Sequence, residues 1–211
     1  MKKILFYLLL LVLMGRVLGQ TTETAPSAAE IAAAIDRSAA AIRTLRGEFT
    51  QTKELSILRD KMVSHGVLYY EQQGGKLRWE YLTPYTYAFI LNGDRVQMRS
   101  QEHTQTIGTS DNRIFREIAR IMMNSLTGRC LTDTSDFRTE IRVAGGMWIA
   151  ELTPSRREMQ QFFAKIRLGF DPRRHLVSRV EMLDPNGDRT VIELKNIQTD
   201  QKLDEKVFAI D

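Results

Sequence analysis

The chain has 211 residues, which is enough for one domain with a substantial core but short for two. Its net charge is +4, and its arginines are spread along the sequence instead of clustering with aromatic residues, which argues against a nucleic-acid partner. Cys130 is the only cysteine, so the chain can form no intramolecular disulfide. We interpret Cys130 as a small buried hydrophobic residue rather than a reactive thiol.

Residues 1–19 have the three parts of a secretory signal peptide. Lys2 and Lys3 supply the positive start, residues 4–14 are apolar, and cleavage is expected before Gln20. The apolar part is too short to span a bilayer comfortably, although an uncleaved N-terminal anchor is the alternative. Cys130 lies far from the cleavage site and cannot be the lipid-modified first residue of a lipoprotein. We therefore expect the mature protein to be free in solution, with its net charge lowered from +4 to +1 by the loss of Lys2, Lys3 and Arg16.

Beyond a polar linker at residues 20–26, the sequence predicts an amphipathic helix. Ser27 and Glu30 have the spacing of a capping box, in which each side chain accepts a hydrogen bond from a free backbone N–H. Apolar residues then recur on one face, at Ile31, Ile35, Ala39, Ile42 and Leu45. We expect this helix to end at Gly47. The next elements are two strands and a turn, at residues 48–53, 62–71 and 72–75.

Residues 74–94 form the most distinctive stretch, which is predicted to be two strands joined at Pro84. In each strand, large apolar side chains occupy every second position and so share one face. They are Leu77, Trp79, Tyr81, Tyr85, Tyr87, Phe89 and Leu91. The Asn92-Gly93 pair supplies the positive φ angles of a tight hairpin, so we expect residues 95–100 to fold back on this ribbon.

The second half of the chain continues the strand pattern around one more helix. After a short strand near residues 104–107, a helix is predicted over residues 111–126. Its apolar face contains Ile114, Phe115, Ile118, Ile121, Met122 and Leu126. Later strands are predicted at 137–143, 147–154, 162–171, 175–183 and 189–194, with a polar or helical insert at 155–161. Together these make ten or eleven antiparallel strands with helices on one side, and a sheet of this length curls around an apolar cavity.

Residues suited to catalysis or metal binding are scattered. His65, His103 and His175 lie in separate strands or turns and belong to no metal-binding motif. The sequence also lacks the nucleophile, phosphate-binding and dinucleotide-binding motifs of common enzymes, so an envelope hydrolase is a weak alternative. We therefore expect no enzyme activity, no metal and no cofactor. The abundance of aromatic and methionine side chains permits a lipid-binding site instead.

Short motifs occur in a characteristic order along the chain. The first four are LRGEFTQT at 45–52, SHGVLYY at 64–70, LRWEYLTP at 77–84 and FILNGDRVQM at 89–98. The later ones lie at 149–154, 163–168 and 207–208. In this order and spacing they resemble the outer-membrane lipoprotein carrier family, LolA, of Gram-negative envelopes, whose signature includes an Arg-Trp pair and a following proline. The resemblance covers nearly the whole expected mature chain.

This resemblance implies an unclosed β-barrel with helices as a lid, enclosing a cavity that carries the acyl chains of lipoproteins across the periplasm. It implies acylated lipoproteins as cargo, an inner-membrane ABC transporter that loads the carrier and an outer-membrane receptor that unloads it. The receptor shares the fold but is lipid-anchored, so the missing cysteine at the cleavage site favours the carrier, which we expect to be a periplasmic monomer. The alternative is a periplasmic lipid-responsive sensor of the same fold that binds a membrane protein.

We accordingly divide the chain into a signal peptide at 1–19, a linker at 20–26 and a single carrier domain at 27–211. The lipid-binding cavity is expected to be lined by apolar side chains of the strands and of the second helix. These are Phe49, Trp79, Tyr81, Phe89, Leu91, Phe115, Ile118, Met122, Trp148, Ile166, Leu168, Phe170 and Met182.

The sequence departs from the family pattern in two places. LolA carriers have a basic residue followed by proline in the turn before the Arg-Trp strand, and that arginine bonds to the lid. Here the turn is Gln72-Gln73-Gly74-Gly75, so we expect a lower barrier to lid opening. Few residues follow Phe208, and we expect the extra C-terminal loop and strand of some carriers to be absent, with a different retention of cargo.

Overall fold

The computed structural model describes residues 25–57, 60–108, 120, 123–124, 128–131 and 137–210. Most of these residues lie in β-strands. The strands are β1 (Thr44–Glu54), β2 (Lys61–Glu71), β3 (Lys76–Thr83), β4 (Tyr87–Asn92), β5 (Arg95–Ser100), β6 (Thr104–Gly108), β7 (Phe137–Ala144), β8 (Met147–Pro154), β9 (Lys165–Phe170), β10 (Val177–Leu183) and β11 (Arg189–Thr199). Helices α1 and α2 span Ala28–Ala41 and Arg157–Gln160, and short 3-10 helices span Arg129–Leu131 and Glu205–Phe208.

The sheet is an antiparallel meander made of two halves. Its strand order is β6-β5-β4-β3-β2-β1-β11-β10-β9-β8-β7. Strands β1–β6 follow one another along the chain, as do β7–β11, and the halves join where β1 pairs with β11. Among the described strands, β6 and β7 are the two edges, so the sheet is not closed. The expected antiparallel, unclosed architecture of ten or eleven strands is confirmed.

Helix α1 begins with the predicted capping box. The Ser27 hydroxyl accepts from the Glu30 N–H at 3.3 Å, and the Glu30 carboxylate accepts from the Ser27 N–H at 2.8 Å. Ile31, Ile35 and Ala39 are buried on one side of the helix. The sequence pattern therefore gives both the start of α1 and its buried face.

The end of α1 differs from the prediction. The helix stops at Ala41 instead of Gly47, and the chain enters β1 at Thr44. Leu45 pairs with one residue of β2 and one of β11, so the sheet satisfies backbone groups on both sides of this segment. Two neighbouring strands therefore stabilise an extended conformation more than one further helical turn would. Leu45 remains buried, now as part of the sheet.

Some strand limits also differ from the prediction. Tyr85 lies in the link between β3 and β4 and is 51% exposed, so it does not share the buried face of the ribbon. Pro84 has no N–H to donate to a strand ladder, which explains the break at this point. Strand β9 begins at Lys165, because α2 and the turn after it occupy the preceding residues. Strand β11 continues to Thr199, where it pairs with the first residues of β1.

Buried side chains of β1–β5 and β7–β11 pack into one cluster with α1. We call the face of the sheet that supplies them the inner face. Near its centre, a Cβ added to Gly128 would overlap Ile35 and lie 3.2 Å from Phe170. The opposite, outer face of β3 and β4 is covered by the C-terminal 3-10 helix. Arg78 Nη1 donates to the Val207 carbonyl at 3.1 Å, and Asn92 Nδ2 donates to the Phe208 carbonyl at 3.1 Å.

An ion-pair ladder crosses the outer face from β8 to β1. Its members, in order, are Lys165, Glu151, Arg167, Glu181, Arg189 and Glu54. A hydrogen bond from Lys165 is the main cause that lowers the pKa of Glu151 below its ordinary value. A hydrogen bond from Arg189 does the same for the pKa of Glu181. The ladder therefore links five strands electrostatically.

Three predicted features lie largely outside the described residues. Of the second helix, predicted at 111–126, the structure describes Arg120, Met123 and Asn124, which are helical. The predicted signal peptide at 1–19 and the side chain of Cys130 are not among the described parts.

Candidate functional site

Ten of the predicted cavity residues come together on the inner face. Phe49, Trp79, Phe89, Leu91, Ile166, Leu168 and Phe170 are buried in the cluster, and Tyr81, Trp148 and Met182 are partly buried against it. Phe115, Ile118 and Met122 lie outside the described residues. The alternation of apolar residues along the strands thus places these side chains on one surface, and their role in binding stays a prediction.

Aromatic rings form the densest part of this surface, on β1 and β3. The Phe49 and Trp79 rings stack with centroids 4.4 Å apart and planes at 28°. Tyr81 meets Phe49 edge to face at 5.2 Å. Gly66 on β2 makes this arrangement possible, because a Cβ there would overlap both the Phe49 ring and the Glu80 carbonyl oxygen. This role of Gly66 was not predicted from the sequence, although Gly66 faces Phe49 across the β1–β2 ladder.

Polar groups lie beside these rings. The Tyr81 hydroxyl donates to Gln51 Oε1 at 3.0 Å. Burial raises the pKa of Tyr81, an effect that the nearby Trp79 N–H and the Gln51 amide oppose. The indole Nε1–H of Trp79 is buried and has no hydrogen-bond acceptor in the structure as described. Gln51 was also missed, although it follows Phe49 by two residues and so shares its face.

Trp148 lies at another part of the inner face. Its ring stacks on the His175 imidazole with centroids 5.0 Å apart and planes at 9°. His175, predicted to be the first residue of a strand at 175–183, lies just before β10 and adopts a positive φ of 56°. One face of Trp148 is therefore already occupied by a polar ring.

Exposed apolar side chains gather at one end of the sheet, which we call the apolar rim. Its members are Ile57, Met62, Val63, Leu82, Tyr85, Phe162 and Leu183. They lie in or beside the connections β1–β2, β3–β4, β8–β9 and β10–β11. Ile57 is 93% exposed. Val143 has the same exposure as Val63, 46%, but lies at the opposite end beside the Gly145-Gly146 turn.

Comparison with known proteins gives the family. The model of the family described as outer membrane lipoprotein carrier protein LolA matches residues 40–211. The chain belongs to the LolA family. It is also 26% identical over 166 residues to the outer-membrane lipoprotein carrier protein of Methylococcus capsulatus, covering 79% of this chain and 76% of that one.

Solved structures resemble this chain at low sequence identity. An uncharacterized conserved protein from Thermus thermophilus is 11% identical with a TM-score of 0.54, covering 88% of this chain and 95% of that one. A LolA superfamily protein from Nitrosomonas europaea is 12% identical with a TM-score of 0.44, covering 85% of this chain and 97% of that one. The Thermus thermophilus structure thus shows the same overall fold as this chain.

The turn that departs from the LolA motif has its own contacts. In the orientation that gives both polar atoms of the Gln72 side-chain amide a hydrogen-bond partner, its nitrogen donates to the Ile42 carbonyl at 3.0 Å. Its oxygen accepts from an Arg129 guanidinium nitrogen at 2.6 Å. Gln72 therefore connects the end of α1 to the 3-10 helix Arg129–Leu131. Burial raises the pKa of the neighbouring Tyr70, and the Arg129 cation opposes that shift.

The described residues contain neither a candidate metal site nor a candidate membrane-spanning helix. In residues 25–210, apart from the stretches left undescribed, no group of three or more His, Cys, Asp or Glu side chains could hold a metal ion. None of the helices in that same described part is long and apolar enough to cross a membrane. LolA family proteins are carriers rather than enzymes.

Proposed function

We propose that this protein carries lipoproteins from the inner to the outer membrane by binding their acyl chains against the inner face. The observation that supports this proposal best is the single apolar cluster that spans both halves of the sheet in a chain of the LolA family. The lipoprotein carrier of Methylococcus capsulatus is a relative whose name agrees with this cargo. We also propose that the chain has no catalytic activity.

The energetics of acyl burial suit such a surface. Each buried CH₂ group contributes about 0.8 kcal/mol, so one palmitoyl chain represents roughly 12 kcal/mol before ordering costs. Hydrogen bonds at the surface contribute far less, on the order of 1 kcal/mol each. Since Leu168 and Phe170 are fully buried in the structure, cargo must replace contacts that the inner face now makes with α1 and its neighbours. Loading is therefore an exchange of apolar contacts.

The proposal includes the route of the cargo. An inner-membrane ABC transporter loads the carrier and an outer-membrane receptor unloads it, with the apolar rim as the surface that approaches them. The carrier is a periplasmic monomer exported by a signal peptide at 1–19. N-terminal sequencing of the exported protein should then begin near Gln20, and a product that retains Met1 and pellets with membranes would contradict this.

Native mass spectrometry of protein isolated from the periplasm tests the function itself. We expect a fraction of the protein to carry the added mass of one lipoprotein with its acyl groups. A lipid-responsive sensor would instead copurify with one specific membrane protein. Recovery of that complex, with no lipoprotein adduct under any condition of growth, would overturn the carrier proposal in favour of the sensor.

A further inference from the structure

Two buried polar side-chain atoms have no hydrogen-bond partner in the structure as described, the indole nitrogen of Trp79 and the hydroxyl oxygen of Thr139. Trp79 is 6% exposed, and its Nε1–H has no acceptor in the structure as described. A buried donor without a partner is costly, and buried polar groups are therefore nearly always hydrogen-bonded. The unpaired indole N–H of Trp79 lies within the surface that we propose for acyl chains.

The position of the indole is fixed by its neighbours. Trp79 lies on β3 between Leu68 of β2 and Phe89 of β4, its directly paired residues. Its ring stacks on Phe49 at 4.4 Å. Neighbours on both sides and a stacked ring leave the N–H little freedom to turn toward another protein group.

The polar groups near Trp79 are neutral. The indole N–H lies close enough to the Tyr81 oxygen to lower the pKa of Tyr81. The two groups do not, however, reach hydrogen-bond geometry. The Tyr81 hydroxyl donates its proton to Gln51 Oε1. Gln51 faces Ser64 across the ladder, and Ser64 is 3% exposed. Neutral polar groups thus border Trp79 on the side of the apolar rim.

We propose that Trp79 Nε1–H donates a hydrogen bond to the carbonyl oxygen of an acyl ester or amide in the bound cargo. This inference rests on the proposed function and names the part of the lipid that the inner face recognises. A neutral carbonyl suits neutral donors, whereas a carboxylate would bring a charge into an apolar surface. The hydrocarbon chain then runs away from the rim, past Leu77 and Leu91, which are buried beyond Trp79.

The test compares ester-linked lipids with ether-linked lipids of equal chain length, because the ether form lacks the carbonyl. The two probes are a diacylglyceryl lipopeptide and phosphatidylglycerol, each as its diacyl and its dialkyl form. We expect the wild type to bind the diacyl form of at least one probe about fivefold or more tightly than the dialkyl form. The probe that shows the preference identifies the source of the carbonyl.

Two variants of Trp79 isolate the N–H. Trp79→Phe removes it together with part of the ring, and replacement of Trp79 by its benzothienyl analogue removes it while keeping the shape. We expect both variants to lose the preference for the diacyl form. The benzothienyl protein should still bind the dialkyl form as tightly as the wild type does. Tyr69→Phe is the control, because Tyr69 pairs with Arg78 on the outer face of the sheet, and it should keep the preference. Circular dichroism checks folding, and the analogue decides the outcome if Trp79→Phe is unstable.

The outcomes separate this inference from the proposed function. Equal binding of diacyl and dialkyl forms by the wild type, or a preference that survives in the benzothienyl protein, overturns the role of Trp79 and leaves acyl carriage intact. Failure of the folded wild type to bind any of the four lipids overturns acyl carriage, and this inference with it.

Discussion

Close packing around Phe49 depends on the absence of one side chain. The space that a Cβ on Gly66 would need is taken by the Phe49 ring and by the carbonyl oxygen of Glu80. The ring is held by its stack on Trp79, and the carbonyl belongs to the neighbouring strand, so neither group can move away easily. The aromatic part of the inner face is therefore sensitive to any side chain added at Gly66.

Gly66→Ala should consequently destabilise the protein by about 3 kcal/mol or more, as overpacking does in a rigid site. Gly47→Ala is the matched control, because Gly47 lies in the adjacent strand with its nearest neighbours at 3.5 Å, an ordinary contact. We expect the control to change the free energy of unfolding by less than about 1 kcal/mol. Urea denaturation measures both values, and equal effects would show that the clash is relieved by movement of the strand.

Neighbouring residues of β4 offer a test of which face binds lipid. Phe89 lies on the inner face opposite Trp79, and Ile90 lies on the outer face opposite Arg78. Both are buried. We expect Phe89→Ala to weaken the binding of a polarity-sensitive acyl probe roughly tenfold, because apolar contact with the chain is lost.

Ile90→Ala should leave the affinity for the probe near that of the wild type, although it also destabilises the fold. Urea unfolding ensures that both variants are folded under the conditions of the binding measurement. Equal loss of affinity in both would mean that the effect comes from reduced stability, and Phe89 would then be removed from the cavity wall.

At the scale of whole elements, the ion-pair ladder ties the strands of one half of the sheet to β1. Its carboxylates have pKa values held below the ordinary glutamate value of about 4.3. The stabilisation from such groups is present in full above that value and is lost as the pH falls from there through the lowered pKa. The folded protein should therefore lose stability on acidification below about pH 4.3.

Glu181→Gln should lower the free energy of unfolding by about 1 kcal/mol at pH 7 and make the loss on acidification shallower. Glu181 interacts with Arg167 and Arg189, so its neutral replacement weakens two links of the ladder. Glu140→Gln is the control, since Glu140 is 73% exposed and its nearest ion-pair atom is 3.9 Å away. Parallel pH profiles for the wild type and Glu181→Gln would show that the ladder does not control acid stability.

The elements differ in how well the sequence predicts them. The alternation of apolar and polar residues alone places Trp79 and Phe89 on the inner face, because successive side chains of a strand point to opposite faces of the sheet. The end of α1 could not be predicted from the local pattern, since it depends on β11, the last strand of the chain. The contact between Gln72 and Arg129 is hidden for the same reason, as the two residues are distant in sequence. The unsatisfied N–H of Trp79 is a property of packing and leaves no trace in the spacing of residues.

For the molecule as a whole, the apolar rim and the opposite end of the sheet are chemically different. Val63 and Val143 allow a direct comparison, because they are the same residue with the same exposure of 46% at opposite ends. We expect Val63→Asp to slow the extraction of a fluorescent acyl lipid from vesicles severalfold, since a charge weakens contact with an apolar surface.

Val143→Asp should extract the lipid at the wild-type rate. Neither substitution should change the free energy of unfolding by more than about 0.5 kcal/mol, because both side chains are partly in water. Stopped-flow fluorescence gives the rates. Equal rates for the two variants would exclude the rim as the surface through which lipid enters.

The pairing of β1 with β11 also sets the order in which the chain can fold. Each half of the sheet is a meander of neighbouring strands, whose contacts are local and form quickly, whereas the joint between the halves needs the first and the last strand together. A chain that is synthesised from its N terminus must therefore wait for Arg189–Thr199 before β1 gains its second partner. Until then β1 presents a free strand edge, the kind of surface that pairs with other chains. The chain is thus most exposed to pairing with other chains in the period before its last strand is complete.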